Sequence, residues 1–298
     1  MKTLQVTSVL AFAAQTAAHG YIYSVNADNT VYPGWDVEID STYTPALARI
    51  AFGGGSVNPI TNTTTNDLAC NINHMPAPGA IAEVRAGSNI SFHWSRWLYS
   101  HKGPITAWMA PYEGSVDAID VNKLAFFKIK EETVGADGIW ANVRMMNFTN
   151  DTYTATIPAD IKPGTYIIRN EIVALHFALS VPANLAGFNS VGPQFYPTCF
   201  NLRVTGSGTA TPLGVNFPGA YSATDPGLKF DVYSNDTNYP SLGPAVYKSK
   251  TSVALEPKSL TVVSPTGNDA ADADYYAKQV TELEGRASTS AYFDSIGG

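Results

Sequence analysis

Cysteine is scarce in this chain of 298 residues, acidic residues outnumber basic ones, and hydrophobic runs are short beyond the N-terminal segment. Only 2 cysteines are present, and the formal net charge is −7. A negative chain disfavours polyanionic partners such as nucleic acid. No segment after the first is apolar enough to cross a bilayer, and no hydrophobic run closes the chain, so neither a membrane span nor a lipid anchor is expected. We expect a monomer that acts on a neutral partner.

The first 18 residues have the features of a secretory signal peptide. Lys2 precedes an apolar run from about Val6 to Ala14, and small residues follow at Thr16 and Ala18. This run is shorter than a membrane span requires. We therefore expect the mature chain outside the cell. Asn-x-Ser/Thr triplets, which can accept glycans in secreted proteins, begin at Asn62, Asn89, Asn147, Asn150 and Asn235.

His19 would become the first residue if cleavage falls after Ala18. A terminal histidine carries a free α-amino group and an imidazole, which together can chelate one metal ion. The amine has a pKa of roughly 7.7 to 8.0, so its neutral form is available near neutral pH. Copper has the highest affinity among divalent metals for nitrogen ligands of this kind. The alternative is cleavage after Ala14 or Ala17, which would leave His19 as ordinary terminal sequence.

Cys70 and Cys199 allow only one intramolecular disulfide, which an oxidising compartment favours. Closing a loop of about 130 residues would stabilise the fold by roughly 5 kcal/mol on the chain-entropy model. Two buried free thiols are the alternative.

Strand-like runs outnumber helical ones and show no alternation of strand and helix. This pattern predicts an all-β, immunoglobulin-like antiparallel sandwich with long loops. Residues 26–48 and 206–227 are predicted to be such loops. The runs are residues 21–25, 48–52, 83–94, 105–111, 126–131, 153–157, 165–178 and 200–205.

The composition changes to Ser, Thr, Ala, Asp and Gly after about Ser249. Residues 272–286 can form one short helix with Tyr276, Val280 and Leu283 on a shared face. A solvated tail is the alternative. We therefore divide the chain into a signal peptide (1–18), one domain (19–248) and a low-complexity C-terminal extension (249–298).

Several further residues could carry chemistry. His101 precedes a turn at Gly103 and Pro104, which would keep its ring near a loop edge, although a histidine in a turn can also be structural. Gln194 and Tyr196 are two apart and face one side of an extended segment. A Tyr hydroxyl beside a glutamine could hold a small oxygen ligand over a metal, or it could simply close a core.

The run around residues 166–176 is a further candidate. Arg169 and Glu171 share one face of a strand and could form a buried ion pair, which needs both partners to be tolerated. His176 would fall on the opposite face unless a bulge intervenes. It could donate a hydrogen bond to an oxygen species near a metal, or be a satisfied core residue.

Together these blocks resemble the lytic polysaccharide monooxygenases of auxiliary activity family 9, formerly classed as glycoside hydrolase family 61. The resemblance covers about residues 19 to 248. It is carried by His19 behind the signal peptide and by residues 32–35 (YPGW), 67–71 (DLACN), 99–104 (YSHKGP), 169–176 (RNEIVALH), 194–199 (QFYPTC) and 239–244 (YPSLGP).

The resemblance implies a flat face that bears one type 2 copper held by a histidine brace. His19 would supply its amino and ring nitrogens, His101 a third nitrogen and Tyr196 an axial hydroxyl. His176 and Gln194 would position the oxygen co-substrate. Further implied roles are support of that network by Arg169 and Glu171, a Cys70 to Cys199 bridge, and sugar stacking on Tyr239, with Tyr32 and Tyr21 as weaker candidates.

The implied activity is oxidative cleavage of cellulose or a related β-1,4-glucan at C1 and/or C4. It would use a small-molecule or protein electron donor and O2 or H2O2. A glycoside hydrolase would instead need two carboxyl groups about 5 to 9.5 Å apart, and no such pair stands out in the sequence. A copper-binding protein without turnover and a non-catalytic glycan-binding sandwich are two further hypotheses.

Overall fold

The computed structural model describes residues 19–43, 46–54, 56–75, 80–180 and 191–296, so the predicted signal peptide lies outside the described residues. Two five-stranded sheets form a β-sandwich, with strand orders β10-β2-β1-β4-β7 and β3-β9-β8-β5-β6. The strands are β1 (Ile22–Ala27), β2 (Thr30–Pro33), β3 (Ala82–Arg85), β4 (Asn89–Trp94), β5 (Ile105–Tyr112), β6 (Phe127–Glu132), β7 (Thr152–Thr156), β8 (Gly164–Ala174), β9 (Gln194–Thr205) and β10 (Thr261–Val262). The α-helices are α1 (Val37–Asp40), α2 (Ala141–Phe148) and α3 (Asp269–Ile296).

The predicted sandwich is confirmed, but each sheet is mixed rather than purely antiparallel. At one edge of each sheet the outer strand runs parallel to its neighbour, β10 along β2 and β3 along β9. Each of these edge strands comes from a distant part of the chain. No tight hairpin joins it to its neighbour, so nothing imposes the antiparallel direction.

The second sheet is buried on both faces. Between the sheets, Phe92 of β4 packs with Phe200 of β9 at 5.6 Å between ring centroids. On the opposite face of the second sheet, loops and short 3-10 turns cover a second cluster that includes Trp108 and Phe217. Strand β8 is consequently buried from Tyr166 to Ala174, and its polar residues Arg169, Asn170 and Glu171 are buried with the apolar ones.

The disulfide predicted between Cys70 and Cys199 is present, with 5.2 Å between its Cα atoms. Both cysteines lie in the second core. The bridge ties a 3-10 turn at Asn66–Leu68 to the middle of β9. One turn of the loop layer is thereby fixed against the sheet that carries most of the candidate residues.

Three predicted segments differ from the structure: the strand 83–94, the strand 48–52 and the loop 26–48. The predicted run 83–94 breaks at Gly87, whose φ of +90° is readily adopted only by glycine. Residues 48–52 form an isolated bridge between Ala51 and Phe200 rather than a strand. The predicted loop 26–48 contains β2 and α1, and α1 is capped by Asp36, whose carboxylate accepts from the amides of Glu38 and Ile39.

The C-terminal extension is folded onto the sandwich. Its helix α3 runs from Asp269 to Ile296, longer at both ends than predicted. Tyr275 on this helix is completely buried, so the solvated-tail alternative is wrong for this part of the chain. No helix among the described residues has the length and apolar character needed to cross a bilayer.

Candidate metal centre

Four predicted site residues meet at one end of the sandwich. His19 lies just before β1 and His101 in the loop before β5, with 5.8 Å between their ring centroids. The ring of Tyr196, near the start of β9, lies 5.6 Å from that of His19. His176, just beyond the end of β8, stacks on His101 at 3.9 Å. Residues from distant parts of the sequence thus form one cluster.

The loop that carries His101 is held by Asn142 of helix α2. The Asn142 side chain donates to the His101 carbonyl at 2.8 Å and accepts from the Gly103 amide at 2.9 Å. A Cβ at position 103 would collide with the carbonyl oxygen of Val173. Glycine is therefore required where this loop crosses the end of β8, and the crossing sets the position of His101. Asn142 was not identified from the sequence, because α2 was not predicted.

The ring of Trp97 packs against two of the site residues, His101 and Tyr196. Its ring meets those of His101 and Tyr196 edge to face, at 6.1 and 4.9 Å. Its indole nitrogen donates to the His101 carbonyl at 3.2 Å. A Cβ at Gly20 would come within 2.7 Å of the same ring. Trp97 too was missed from the sequence, although its place four residues before His101 is a signal that could have found it.

Several imidazole nitrogens in this cluster are buried without a hydrogen-bond partner. They are Nδ1 of His19 and both ring nitrogens of His176. Nδ1 of His101 pairs with the Ser100 hydroxyl at 3.1 Å, which leaves its Nε2 for another partner. Buried polar atoms are nearly always hydrogen-bonded. Unpartnered nitrogens on converging rings therefore indicate a site for a ligand or a metal ion.

Burial keeps these three rings neutral. It lowers the pKa of His19 to about 4, assisted by the nearby Arg286 cation and opposed by a hydrogen bond with Asn58. Burial also lowers the pKa of His176 to about 3, and it lowers that of His101 well below its ordinary value, with His176 and His19 adding to the effect. The neutral imidazole is the form that binds metals.

The available nitrogen ligands fit a histidine brace, which uses two imidazoles and the terminal amine, and do not fit a metal site built from three or more side chains. Within the described ranges, no three His, Cys, Asp or Glu side chains converge to hold an ion. A brace needs only two imidazoles, because the terminal amine supplies the third nitrogen. The unpartnered Nδ1 of His19 and Nε2 of His101, the ring nitrogen that does not pair with Ser100, suit that arrangement, and nitrogen ligands suit copper.

Tyr196 and Gln194 form a hydrogen-bonded pair beside the histidines. The Tyr196 hydroxyl donates to Gln194 Oε1 at 2.8 Å, and both residues are buried. Burial raises the pKa of Tyr196 well above its ordinary value. The phenol thus stays protonated, and its oxygen keeps lone pairs for a weak interaction on the side of His19.

Arg169 and Glu171 form the predicted buried ion pair, but on the other face of the sheet. Arg169 Nη2 lies 2.5 Å from Glu171 Oε1, with both side chains fully buried. In the β8 and β9 register Tyr196 lies opposite Ile172, so alternation places Arg169 and Glu171 away from it. His176 lies past the end of β8, and the strand alternation does not reach it. The pair can therefore support the site only through the backbone of these strands.

The three aromatic residues predicted to stack on sugars are more enclosed than expected. Tyr21 is only 7% exposed, and the Arg286 guanidinium lies 4.8 Å from its ring centroid. The structure therefore does not support stacking on Tyr21. Tyr239 packs at 5.4 Å against Trp140 and donates to the Gly227 carbonyl. Tyr32 is partly buried against the main core.

Exposed aromatic rings do lie beside His101. Tyr99 and Tyr233 are 48% and 62% exposed. The Lys102 ammonium lies 5.3 Å from the ring centroid of Tyr99 and 5.5 Å from that of Tyr233. These residues form a polar and aromatic patch next to the histidine cluster. The asparagines of the predicted glycosylation triplets, Asn62, Asn89, Asn147, Asn150 and Asn235, are all exposed, as glycan attachment requires.

The fold and this histidine cluster define a β-sandwich that could hold a metal ion through two imidazoles and a terminal amine. Comparison with known proteins identifies the family. The model of Auxiliary Activity family 9 (formerly GH61) matches residues 19–240, beginning at His19. The chain belongs to this family, whose members are lytic polysaccharide monooxygenases, copper-dependent oxidoreductases.

Curated relatives and solved structures agree with this assignment. The chain is 40% identical to AA9 family lytic polysaccharide monooxygenase B of Gloeophyllum trabeum, covering 80% of this chain and 95% of the relative. It is 39% identical to monooxygenase A of Geotrichum candidum, covering 84% of each. The extended catalytic domain of LPMO9A from H. jecorina superposes with a TM-score of 0.71 at 30% identity, over 83% of this chain and 99% of that domain. A cellulose-active polysaccharide monooxygenase from M. thermophila superposes with a TM-score of 0.65 at 29% identity, over 77% and 99%.

Proposed function

We propose that this chain is secreted, loses residues 1–18 and would then hold one copper ion through the amine and ring of His19, the ring of His101 and the hydroxyl of Tyr196. The observation that carries this proposal is the buried, unpartnered Nδ1 of His19, on a ring whose centroid lies 5.8 Å from that of His101. The start of the family match at His19 supports the same mature terminus. When bound, copper would supply one-electron redox chemistry and the activation of O2 or H2O2.

The remaining buried residues would hold the oxygen co-substrate. His176 has two ring nitrogens without a partner. As a neutral imidazole it carries one N–H donor, which it can offer to an oxygen ligand in this enclosed corner. Gln194 accepts from Tyr196 through its carbonyl oxygen, and its amide nitrogen remains a donor. Trp97 and Phe177 cover this corner with apolar surface, which would limit the access of water to a reactive oxygen species.

The proposed substrate is cellulose or a related β-1,4-glucan, cut at C1 and/or C4 with electrons from a small-molecule or protein donor. The negative net charge of the chain suits a neutral polymer. The exposed rings of Tyr99 and Tyr233 beside His101 offer apolar faces for sugars, and Lys102 offers a donor for hydroxyl groups. Tyr239 and Tyr32 stay predictions as further contacts. The cellulose activity of the M. thermophila monooxygenase favours this substrate class.

The test begins with intact mass and N-terminal sequencing of secreted protein, which should start at His19. Copper titration should then give one ion per chain with a nitrogen-rich type 2 electron paramagnetic resonance spectrum. Reduced, copper-loaded protein incubated with cellulose should release oxidised oligosaccharides that mass spectrometry detects. A different first residue, or no stoichiometric copper, would overturn the proposal. Copper binding without oxidised products would favour a copper-binding protein without turnover, and copper-independent unoxidised products would favour a hydrolase.

A further inference from the structure

The C-terminal extension forms a strap, defined here as residues 256–286, that runs from one edge of the first sheet to the candidate metal centre. It begins near Asp28, whose carboxylate lies 2.6 Å from the Lys258 ammonium. Its strand β10 then pairs in parallel with β2. The strap lies beyond residue 240, where the family match ends. Its contacts are therefore made by residues outside the segment that the family model matches.

Helix α3 of the strap docks through buried polar contacts. Tyr275 is fully buried, and the guanidinium of Arg49 lies 5.3 Å from its ring centroid. Arg49 also donates to the Pro265 carbonyl at 2.5 Å and forms an ion pair with Asp40 in which both side chains are fully buried. Buried ion pairs are tolerated only when both partners are in place. The strap therefore contributes Pro265 and Tyr275 to the buried cluster around Arg49 and Asp40.

The strap's last contact is with the predicted metal-binding residue. Arg286 is 6% exposed, and its Nη1 donates to the carbonyl oxygen of His19 at 3.0 Å. The guanidinium forms an ion pair with Glu282 at 2.7 Å and lies over the ring of Tyr21 at 4.8 Å. The Tyr21 hydroxyl in turn donates to Asp36 at 2.6 Å. The guanidinium is thus fixed on three sides, with one arm on the backbone of His19.

We propose that Arg286 is a positioning residue for the metal centre, and that the strap holds its guanidinium against His19. This inference rests on the proposed function, in which His19 becomes the first residue. A terminal residue is tethered at one end only, so it keeps backbone freedom that metal binding must remove. A hydrogen bond from a buried cation to the His19 carbonyl removes that freedom in advance. The chelating amine and ring are then ordered before a metal arrives.

The test compares secreted protein that starts at His19 and carries Arg286→Met with a matched control, Lys278→Met. Lys278 forms the same kind of pair one turn apart, with Asp274, on the exposed side of the same helix. We expect Arg286→Met to weaken copper affinity about 10-fold and to alter the copper resonance spectrum, as loss of a supporting partner does. Lys278→Met should match wild type in both. Arg286→Gln, which is too short to reach the carbonyl, should act like Arg286→Met and replaces it if that variant does not fold.

A readout that needs no copper accompanies this comparison. In the metal-free protein, the amide of Tyr21 donates to the Ser95 hydroxyl, and its hydrogen exchange reports on the order of the terminal segment. We expect faster exchange at Gly20 and Tyr21 in Arg286→Met than in Lys278→Met. Wild-type exchange and wild-type copper affinity in Arg286→Met would overturn the inference. So would a lower melting temperature with unchanged copper affinity and spectrum, because Arg286 would then act only on stability. Failure of wild type itself to bind copper would instead overturn the proposed function.

Discussion

Two buried polar clusters lie beside strands β8 and β9, one on each side of the sheet, and they differ in which polar atoms have hydrogen-bond partners. On one face, Glu171 accepts from Arg169 at 2.5 Å and from the Tyr221 hydroxyl at 2.6 Å. Arg169 also donates to two backbone carbonyls, and its guanidinium lies 3.9 Å from the ring centroid of Phe217. Nη1 of Arg169 is buried without a partner, but the ion pair itself is complete. At the end of the other face, Nδ1 of His19 and both ring nitrogens of His176 are buried without partners.

This difference separates a structural cluster from a candidate functional one. Both clusters are buried, both contain titratable groups, and both stand out in the sequence. A buried charge whose partners are in place contributes to a unique packing but has little left to offer a ligand. An imidazole without a partner is destabilising until something binds it. The candidate site is therefore marked by unpartnered nitrogens on converging imidazole rings, and not by burial alone.

The largest effect that would test the comparison is expected for His101→Ala. Removal of one of the three proposed nitrogens should lower copper affinity by more than about 100-fold and abolish the release of oxidised oligosaccharides. Calorimetric copper titration and mass spectrometry of products from cellulose measure the two effects. His93→Ala is the control, since His93 is a half-buried histidine in β4 that pairs with Thr152. Wild-type copper affinity in His101→Ala would contradict the role given to His101.

The Arg169–Glu171 cluster should respond in stability and not in metal binding. Glu171→Leu leaves the Arg169 cation buried without its partner, so we expect a loss of about 3 to 5 kcal/mol in the free energy of unfolding. Denaturant unfolding of the metal-free protein measures this loss. The double variant Arg169→Met/Glu171→Leu should recover part of it. A changed copper spectrum in Glu171→Leu would show that the two faces are coupled and would break the distinction.

A smaller effect is expected for Tyr196→Phe. The variant should still bind copper but change its resonance spectrum, because the proposed axial oxygen is gone. It also leaves Gln194 Oε1 without its donor, at a cost of about 1 kcal/mol in stability. Tyr153→Phe is the matched control, since it removes a buried hydroxyl that donates to the Ile105 carbonyl within the first core. An unchanged spectrum in Tyr196→Phe would count against axial placement.

The smallest effect concerns the strap and depends on pH. Burial and the neighbouring Asp36 carboxylate raise the pKa of Glu282 to about 7, opposed by Arg286. Because the pKa is raised in the folded state, protonated Glu282 stabilises the docked helix fully at pH values below the ordinary pKa of glutamate. This stabilisation is lost as the pH rises through about 7. Tyr21 and Asp36 are the groups that face Glu282 from the opposite side.

Glu282→Gln mimics the protonated carboxyl and so isolates this effect. The variant should melt at the wild-type temperature near pH 4.5 and above it near pH 8, when both proteins are metal-free. Glu284→Gln, an exposed position on the same helix, should match wild type at both pH values. Equal melting temperatures of Glu282→Gln and wild type near pH 8 would remove Glu282 from the docking of the strap.

Local patterns were sufficient to predict a large part of this molecule. The sandwich, most of its strands and the disulfide follow from alternation, composition and cysteine number. The helix within residues 269–296 was one of two alternatives, and the shared face predicted for it is wrong, because Tyr276 and Val280 are exposed and Tyr275 is the buried residue. The alternation also placed Gln194 and Tyr196 on one face, and the structure confirms this with their hydrogen bond. The helix α1 was missed because four residues are too few to show a helical period.

What the sequence determined is what depends on neighbours along the chain: which residues alternate, where glycine must turn the backbone, and which histidine could become terminal. The tertiary structure alone decided which polar atoms find partners. Arg286 reaches the carbonyl of His19 across 267 positions of sequence, and Trp97 and Asn142 close around His101 from different elements. The physical reason is that hydrogen bonding and burial depend on distances between side chains in space, and these distances exist only once the sheets have paired and the strap has docked.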